Sequence, residues 1–142
     1  MDKCDIAYSA GLLDGEGCIG INKTQHPTSV RPYYTLIVQI VNTDKRMIHW
    51  LKDTWNMGAA VVIPSKRVNH KPLWRFVVRA RKARDFLEAV CPYLVIKGEQ
   101  AEIGIEFQDS MDSNHVGQGR PLDKGQITNR EKLHNRLMKM KI

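Results

Sequence analysis

The sequence predicts an α+β domain, a four-stranded antiparallel sheet with its helices on one face. The element order is α-β-β-α-β-β-α, followed by a further C-terminal helix. Three observations carry this. Two pairs of β-rich runs each follow a segment whose apolar residues recur at helical spacing. The runs within each pair are separated by polar or basic stretches of hairpin character. What remains is helical in pattern, so helices cover one sheet face and leave the other open. A chain of 142 residues suits one domain with a real core. Residues 1–110 are read as the core domain and residues 111–142 as a loop and helix belonging to it.

The first helix spans residues 5–14, with Ile6, Ala10 and Leu13 on one core-facing stripe. Ala7, Gly11 and Gly15 form a second stripe with almost no side chain. Gly11 costs about 1 kcal/mol relative to alanine inside a helix, so a close packing partner is expected there. That partner is either a helix of the same chain or the same helix in a second copy. Asp14 and Glu16 stand at the helix C-terminus, whose partial negative charge disfavours acids by a few tenths to about 1 kcal/mol. A divalent cation or the N–H groups of a partner are the expected compensation.

Residues 18–24 form the first strand, with Ile19 and Ile21 on one side. A turn-rich tip follows over residues 25–31. Residues 33–41 form the second strand, with Tyr34, Leu36, Val38 and Ile40 facing the core. Thr43 or Asp44 caps a helix reaching Asn56, with Ile48, Leu51 and Trp55 inward and Gly58 as its stop. Residues 61–65 and 73–81 make the second hairpin around a basic tip, residues 66–71. Trp74, Phe76 and Val78 alternate there with Arg75, Val77 and Arg79. A helix over residues 82–91 ends at Pro92, and another starts near Gly98 with Ala101, Ile105 and Phe107. Residues 112–124 read as an extended surface loop. Thr128 to Glu131 reads as a capping box before a last helix striped by Leu133, Leu137 and Met140.

The net charge of +7 and a pI near 9.5 suggest a polyanionic partner, although many basic domains bind none. The open sheet face supplies donors without acids. Asn22, Thr24, Tyr33, Thr35, Ile37, Gln39, Arg75, Val77 and Arg79 are expected to face double-stranded DNA. His26, Ser29 and Arg31 at one tip, and Lys66, Arg67, Asn69, His70 and Lys71 at the other, extend that surface. A β-ribbon fits the major groove, where Gln and Asn read adenine and Arg reads guanine; a plain solvated face is the alternative. Cys4, Cys18 and Cys91 have no zinc-ligand spacing and read as reduced thiols. Residues 1–5 lack the apolar run of a secretory leader and no membrane span is evident, so an intracellular protein is expected.

The run Ser9, Ala10, Gly11, Leu12, Leu13, Asp14, Gly15, Glu16, Gly17 resembles the motif of the LAGLIDADG homing endonucleases. Ser9 replaces the leading leucine and Glu16 the second aspartate. The αββαββα order agrees with that family's fold, and the likeness covers roughly residues 5–110. The resemblance implies that the motif helices pair at a dimer interface, here through Ala7, Gly11, Asp14 and Gly15. It implies that Glu16 ligates metal, with the Gly15 carbonyl as a second ligand. Lys97, within Tyr93-Leu94-Val95-Ile96-Lys97-Gly98, matches the catalytic lysine, and Asn42 and Arg46 match further polar catalytic positions. For these residues local readings stay open: Lys97 as a solvated helix-start lysine, Asn42 as a cap of the next helix, Asp14 as a hydrogen-bonding group across the interface.

With one motif per chain, the implied enzyme is a homodimer cleaving a long pseudo-palindromic site. Oxygen-only ligands favour Mg²⁺, with Mn²⁺ able to replace it and Ca²⁺ expected to support binding without cleavage. The rival readings are an RNA maturase of the same type, a non-cleaving DNA-binding regulator, and a metal-free RNA-binding domain.

Overall fold

A computed structural model describes residues 1–28, 32–113 and 124–141. Its elements are α1 (Lys3–Glu16), β1 (Gly17–Thr24), β2 (Tyr33–Asn42), α2 (Lys45–Trp55), β3 (Ala59–Ile63) and β4 (Leu73–Arg79). α3 (Ala80–Val90), a 3-10 turn (Cys91–Tyr93), α4 (Gly98–Ser113) and α5 (Lys124–Lys139) follow. The four strands form one antiparallel sheet in the order β1-β2-β4-β3, as the hairpin pattern predicts. No helix among the described residues is long and apolar enough to cross a membrane.

The period-two pattern sorts the faces as expected. Ile19, Ile21, Tyr34, Leu36, Val38, Ile40, Phe76 and Val78 are buried beneath the helices. Trp55 and Phe86 close the middle of this layer with ring centroids 4.5 Å apart. Leu133 and Leu137 of α5 join the same cluster, so the C-terminal helix completes this core.

Three elements, α1, β3 and β4, have boundaries that differ from expectation. α1 is longer at both ends, because Asp2 and Asp5 form a capping box that the acid pair already encodes. β3 is displaced two residues toward the N-terminus. Asn56 ends α2 in the left-handed region at φ 50°, and Gly58 turns the chain at φ +76°. A side chain on Gly58 would meet the Val77 carbonyl at 2.6 Å, so only glycine fits. β4 stops at Arg79, since Ala80 takes φ 56° and sends the chain straight into α3.

The expected loop over residues 112–124 is helical at both margins, with Asp112 inside α4 and Lys124 opening α5; residues 114–123 lie outside the described residues. Two helices therefore follow α3. Thr128 and Glu131 form no capping box. Thr128 lies inside α5 and its hydroxyl donates to the Lys124 carbonyl at 2.8 Å. Glu131 instead receives the Tyr34 hydroxyl and pairs with Lys23 at 3.2 Å, tying α5 to the first hairpin.

Ser9, the unusual first residue of the motif, is fully buried. Its hydroxyl donates to the Asp5 carbonyl at 2.8 Å and accepts the Trp55 indole N–H at 2.9 Å. Ser9→Ala would leave that indole donor unpaired in the core. We expect a loss of about 1–3 kcal/mol in urea unfolding, the usual cost of a buried orphan donor. Trp55→Phe on top of Ser9→Ala should then add less than it does alone, because the two groups share one bond.

Candidate functional site

α1 runs directly into β1, and Gly17 makes the junction. Its N–H donates to the Leu13 carbonyl. A Cβ at Gly17 would lie 2.5 Å from the Leu13 side chain and 2.8 Å from that carbonyl, so the residue after Glu16 must be glycine. Gly17 faces Ile40 in the β1–β2 register, which sets the C-terminus of α1 beside the far end of β2.

Asp14 and Glu16 part company here. The Asp14 carboxylate accepts the Val95 N–H at 2.8 Å, the Lys97 N–H at 3.0 Å and the Ile96 N–H at 3.3 Å. In return Lys97 Nζ donates to the Asp14 carbonyl at 2.6 Å. N–H groups do compensate this acid, but they come from its own chain rather than from a partner. That corrects the expectation of an Asp14 bond across an interface. Burial pushes the Asp14 carboxyl up. The three amides of Val95, Lys97 and Ile96, with the Lys97 charge, outweigh burial and hold it below its ordinary value.

Glu16 is exposed, and no hydrogen bond or ion pair engages it among the described residues. It sits one residue from Gly15, whose carbonyl is among the last of the helix and lacks a partner within it. Among the described residues no three His, Cys, Asp or Glu side chains converge. One chain thus presents two hard oxygen donors, a carboxylate and a carbonyl. Donors of that kind suit a hard divalent cation.

Ala7, Gly11 and Gly15 are exposed, and among the described residues nothing outside the local helix backbone comes within 4 Å of a Cβ placed on Gly11 or Gly15. The small-residue stripe is therefore not an intrachain helix seam.

Asn42 and Arg46 are both held locally, and Asp44 rather than Asn42 caps α2. Asn42 accepts the Asp44 N–H at 2.8 Å, and Asp44 caps α2 through the Arg46 N–H at 2.9 Å. Arg46 pairs with Asp44 at 2.7 Å and lines a groove of about 660 Å³ with Cys4, Asp5, Tyr8, Met47 and Trp50. Asp5 lies eleven residues before Glu16, about 16 Å along the helix axis at 1.5 Å per residue. The structure thus places Arg46 at the opposite end of α1 from Glu16. Asn42 lies two residues past the Gly17–Ile40 pairing and is joined to Arg46 through Asp44.

The open face of the sheet carries Asn22, Thr24, Tyr33, Thr35, Gln39, Arg75 and Arg79, as the register requires. No Asp or Glu occurs in any strand. No salt bridge engages Arg75, Arg79, Lys66, Arg67 or Lys71 among the described residues, and Arg75 Nε is buried without a partner. Lys66, Arg67, Asn69, His70 and Lys71 are all exposed, and so is His26, whose Nδ1 lies 2.8 Å from the Thr28 hydroxyl. Ser29 and Arg31 lie outside the described residues.

Two expected contacts are corrected. Ile37 and Val77 are on the open face but only 7% and 3% exposed. They sit mid-sheet beside Arg79 and Gln39, and longer neighbours cover them. One residue was not foreseen. Lys141 Nζ lies 3.2 Å from Cys18 Sγ and 3.5 Å from a Cβ on Gly20, so α5 delivers a cation to the β1 edge of the open face. Only the docking of α5 reveals this.

No protein-family profile and no curated sequence matches the chain. Solved structures do. The homing endonuclease I-CvuI, in complex with its target in the presence of Ca, has a TM-score of 0.78 at 16% identity, over 96% of this chain and 82% of that one. The archaeal intron-encoded homing endonuclease I-Vdi141I, complexed with DNA, has a TM-score of 0.79 at 15% identity, over 99% and 86%. The I-SmaMI LAGLIDADG homing endonuclease, bound to cleaved DNA, has 0.72 at 16%, over 97% of this chain but 45% of its own. The chain has the fold of these LAGLIDADG endonucleases.

The Asp44 cap gives a pH test. The Arg46 side chain, then its N–H, hold the Asp44 carboxyl at about 2. Its folded pKa lies below the unfolded one of about 3.9, so the cap's contribution is complete above that value. It is lost as pH falls toward about 2. Carboxyl ¹³C NMR should give an Asp44 midpoint near 2; one near 4 would contradict the pairing.

Proposed function

We propose that the chain is a site-specific double-strand DNA endonuclease that acts as a homodimer with divalent metal. The observation that carries this reading is the meeting of an unengaged Glu16 and a tethered Lys97 at the C-terminus of α1. Pairing two copies through Ala7, Gly11 and Gly15 would bring two Glu16 carboxylates and two Gly15 carbonyls together on the dyad. These oxygens would hold Mg²⁺, or Mn²⁺ in its place, while Ca²⁺ would support binding alone. The bound cation would activate water and stabilise charge on the scissile phosphate and the leaving oxygen.

The chain's own groups supply the rest. Lys97 has donors to spare for a phosphate oxygen, where a fixed cation favours developing charge. Asn42, whose side chain accepts the Asp44 N–H, would orient water or phosphate. The acid-free open face enters the major groove, with Gln39, Arg75 and Arg79 reading bases and the hairpin tips gripping phosphates. The ten residues of β2 extend about 33 Å, or about ten base pairs, so a dimer covers on the order of 20. Glu16 remains in place as an electrostatically awkward exposed acid. That speaks for cleavage over a maturase or regulator that has lost it.

Glu16→Gln keeps the size of the side chain and removes its charge. Cleavage in Mg²⁺ should disappear while affinity for DNA in Ca²⁺ stays nearly unchanged. Cleavage at the native rate would remove Glu16 from the site.

Gly11→Leu should separate the two copies. Sedimentation at micromolar protein should then show monomer in place of dimer, with double-strand cleavage lost. A native protein that sediments as a monomer and still cuts both strands would refute the shared site.

A further inference from the structure

We propose that Asp14 is a positioning residue for Lys97, acting on the chemistry only through that lysine. The inference rests on the endonuclease reading above. Residues 94–97 link the 3-10 turn to α4 without regular structure. Leu94 packs on the core, but Val95 and Ile96 are 89% and 71% exposed. Beyond Leu94, neither Val95 nor Ile96 belongs to the hydrophobic core. Three consecutive amides of that stretch instead converge on one carboxylate, at 2.8, 3.0 and 3.3 Å.

The clasp is reciprocal. The Asp14 side chain holds the Lys97 main chain, and the Asp14 main chain holds the Lys97 side chain at 2.6 Å. Lys97 Nζ carries three protons and gives one to this carbonyl, leaving two for a phosphate. A free lysine stem would spread over many rotamers, and the clasp removes that freedom before substrate arrives. The ammonium also sits where the α1 carbonyls carry partial negative charge, a favourable place for a cation. Asp14 itself is taken up by the amides and is not free to touch a metal or a phosphate. Its contribution must therefore pass through Lys97.

The test is a double-mutant cycle read by single-turnover cleavage in Mg²⁺ and DNA affinity in Ca²⁺. Asp14→Asn keeps the shape but faces the amides with an NH₂ group. In the native background it should slow cleavage about tenfold or more, the scale on which small misplacements act. With Lys97→Met already present, the same change should cost less than about twofold, since the group it positions is gone. Affinity should be unchanged in all four proteins. Equal factors in both backgrounds, or a loss confined to affinity, would overturn the proposal.

Hydrogen exchange on the native protein tests the clasp without any variant, in case Asp14→Asn does not fold. The Val95, Ile96 and Lys97 amides should exchange as slowly as helix amides, despite two exposed side chains. Exchange at the rate of an unstructured chain would overturn the proposal. A native protein that cleaves no DNA removes the endonuclease reading, and this inference with it. One that cleaves with an additive cycle removes this inference alone.

Discussion

Asp14 and Lys97 hold each other side chain to main chain, across 83 residues of sequence. The functional end of the molecule hangs on that contact. Without it, the C-terminus of α1 would carry two acids against its own dipole, and the segment before α4 would be docked by Leu94 alone. With it, one acid is satisfied by amides and one cation is drawn to the helix end. Glu16 is left as the exposed, uncommitted carboxylate. A single motif thus divides its two acids between holding the site and composing it.

The sheet places that end relative to a possible DNA surface. Gly17 forces α1 to enter β1 with no spacer, and the antiparallel register then fixes which residues face away from the helices. Those residues are Asn, Thr, Gln and Arg without a single acid, while the hydrophobic face takes up α1 to α5. The end of α1 leads straight into β1 of the open-faced sheet, so backbone alone joins the proposed metal site to the proposed DNA surface. Arg75, Arg79, Lys66 and Arg67 form no salt bridge among the described residues, which leaves their charges for a polyanion.

Much of this was legible in the sequence, because it follows from short-range periodicity. Alternation in β2 and β4 assigned every core residue of those strands, and the helical stripes of α1 and α2 held. The face of a strand is a two-residue property, so Ile37 and Val77 were placed on the correct side. Their burial depends on neighbouring strands, which alternation does not encode. Lys97 was reached through family likeness, and the structure ties it to Asp14, two residues before Glu16. The partners of Asp14 were not reached, since three amides carry no side-chain signature. Arg46 also came from the likeness; Asp44, two residues away, pairs with it locally, and only the placement of α2 sets it in a groove with Cys4, Asp5 and Tyr8 of α1. Glu131 looked like a capping residue because the same spacing also serves a tertiary bond, here to Tyr34 and Lys23.

The central claim is that two copies of this chain cut a long DNA site at Glu16. It is met most directly by offering the purified protein a randomised DNA library and sequencing the cleaved ends. The account predicts cleavage only with Mg²⁺ or Mn²⁺, at pseudo-palindromic sequences on the order of 20 base pairs, with the cuts placed symmetrically about their centre. Absence of cleavage with tight binding to RNA, or a footprint of only about six to eight base pairs, would contradict it.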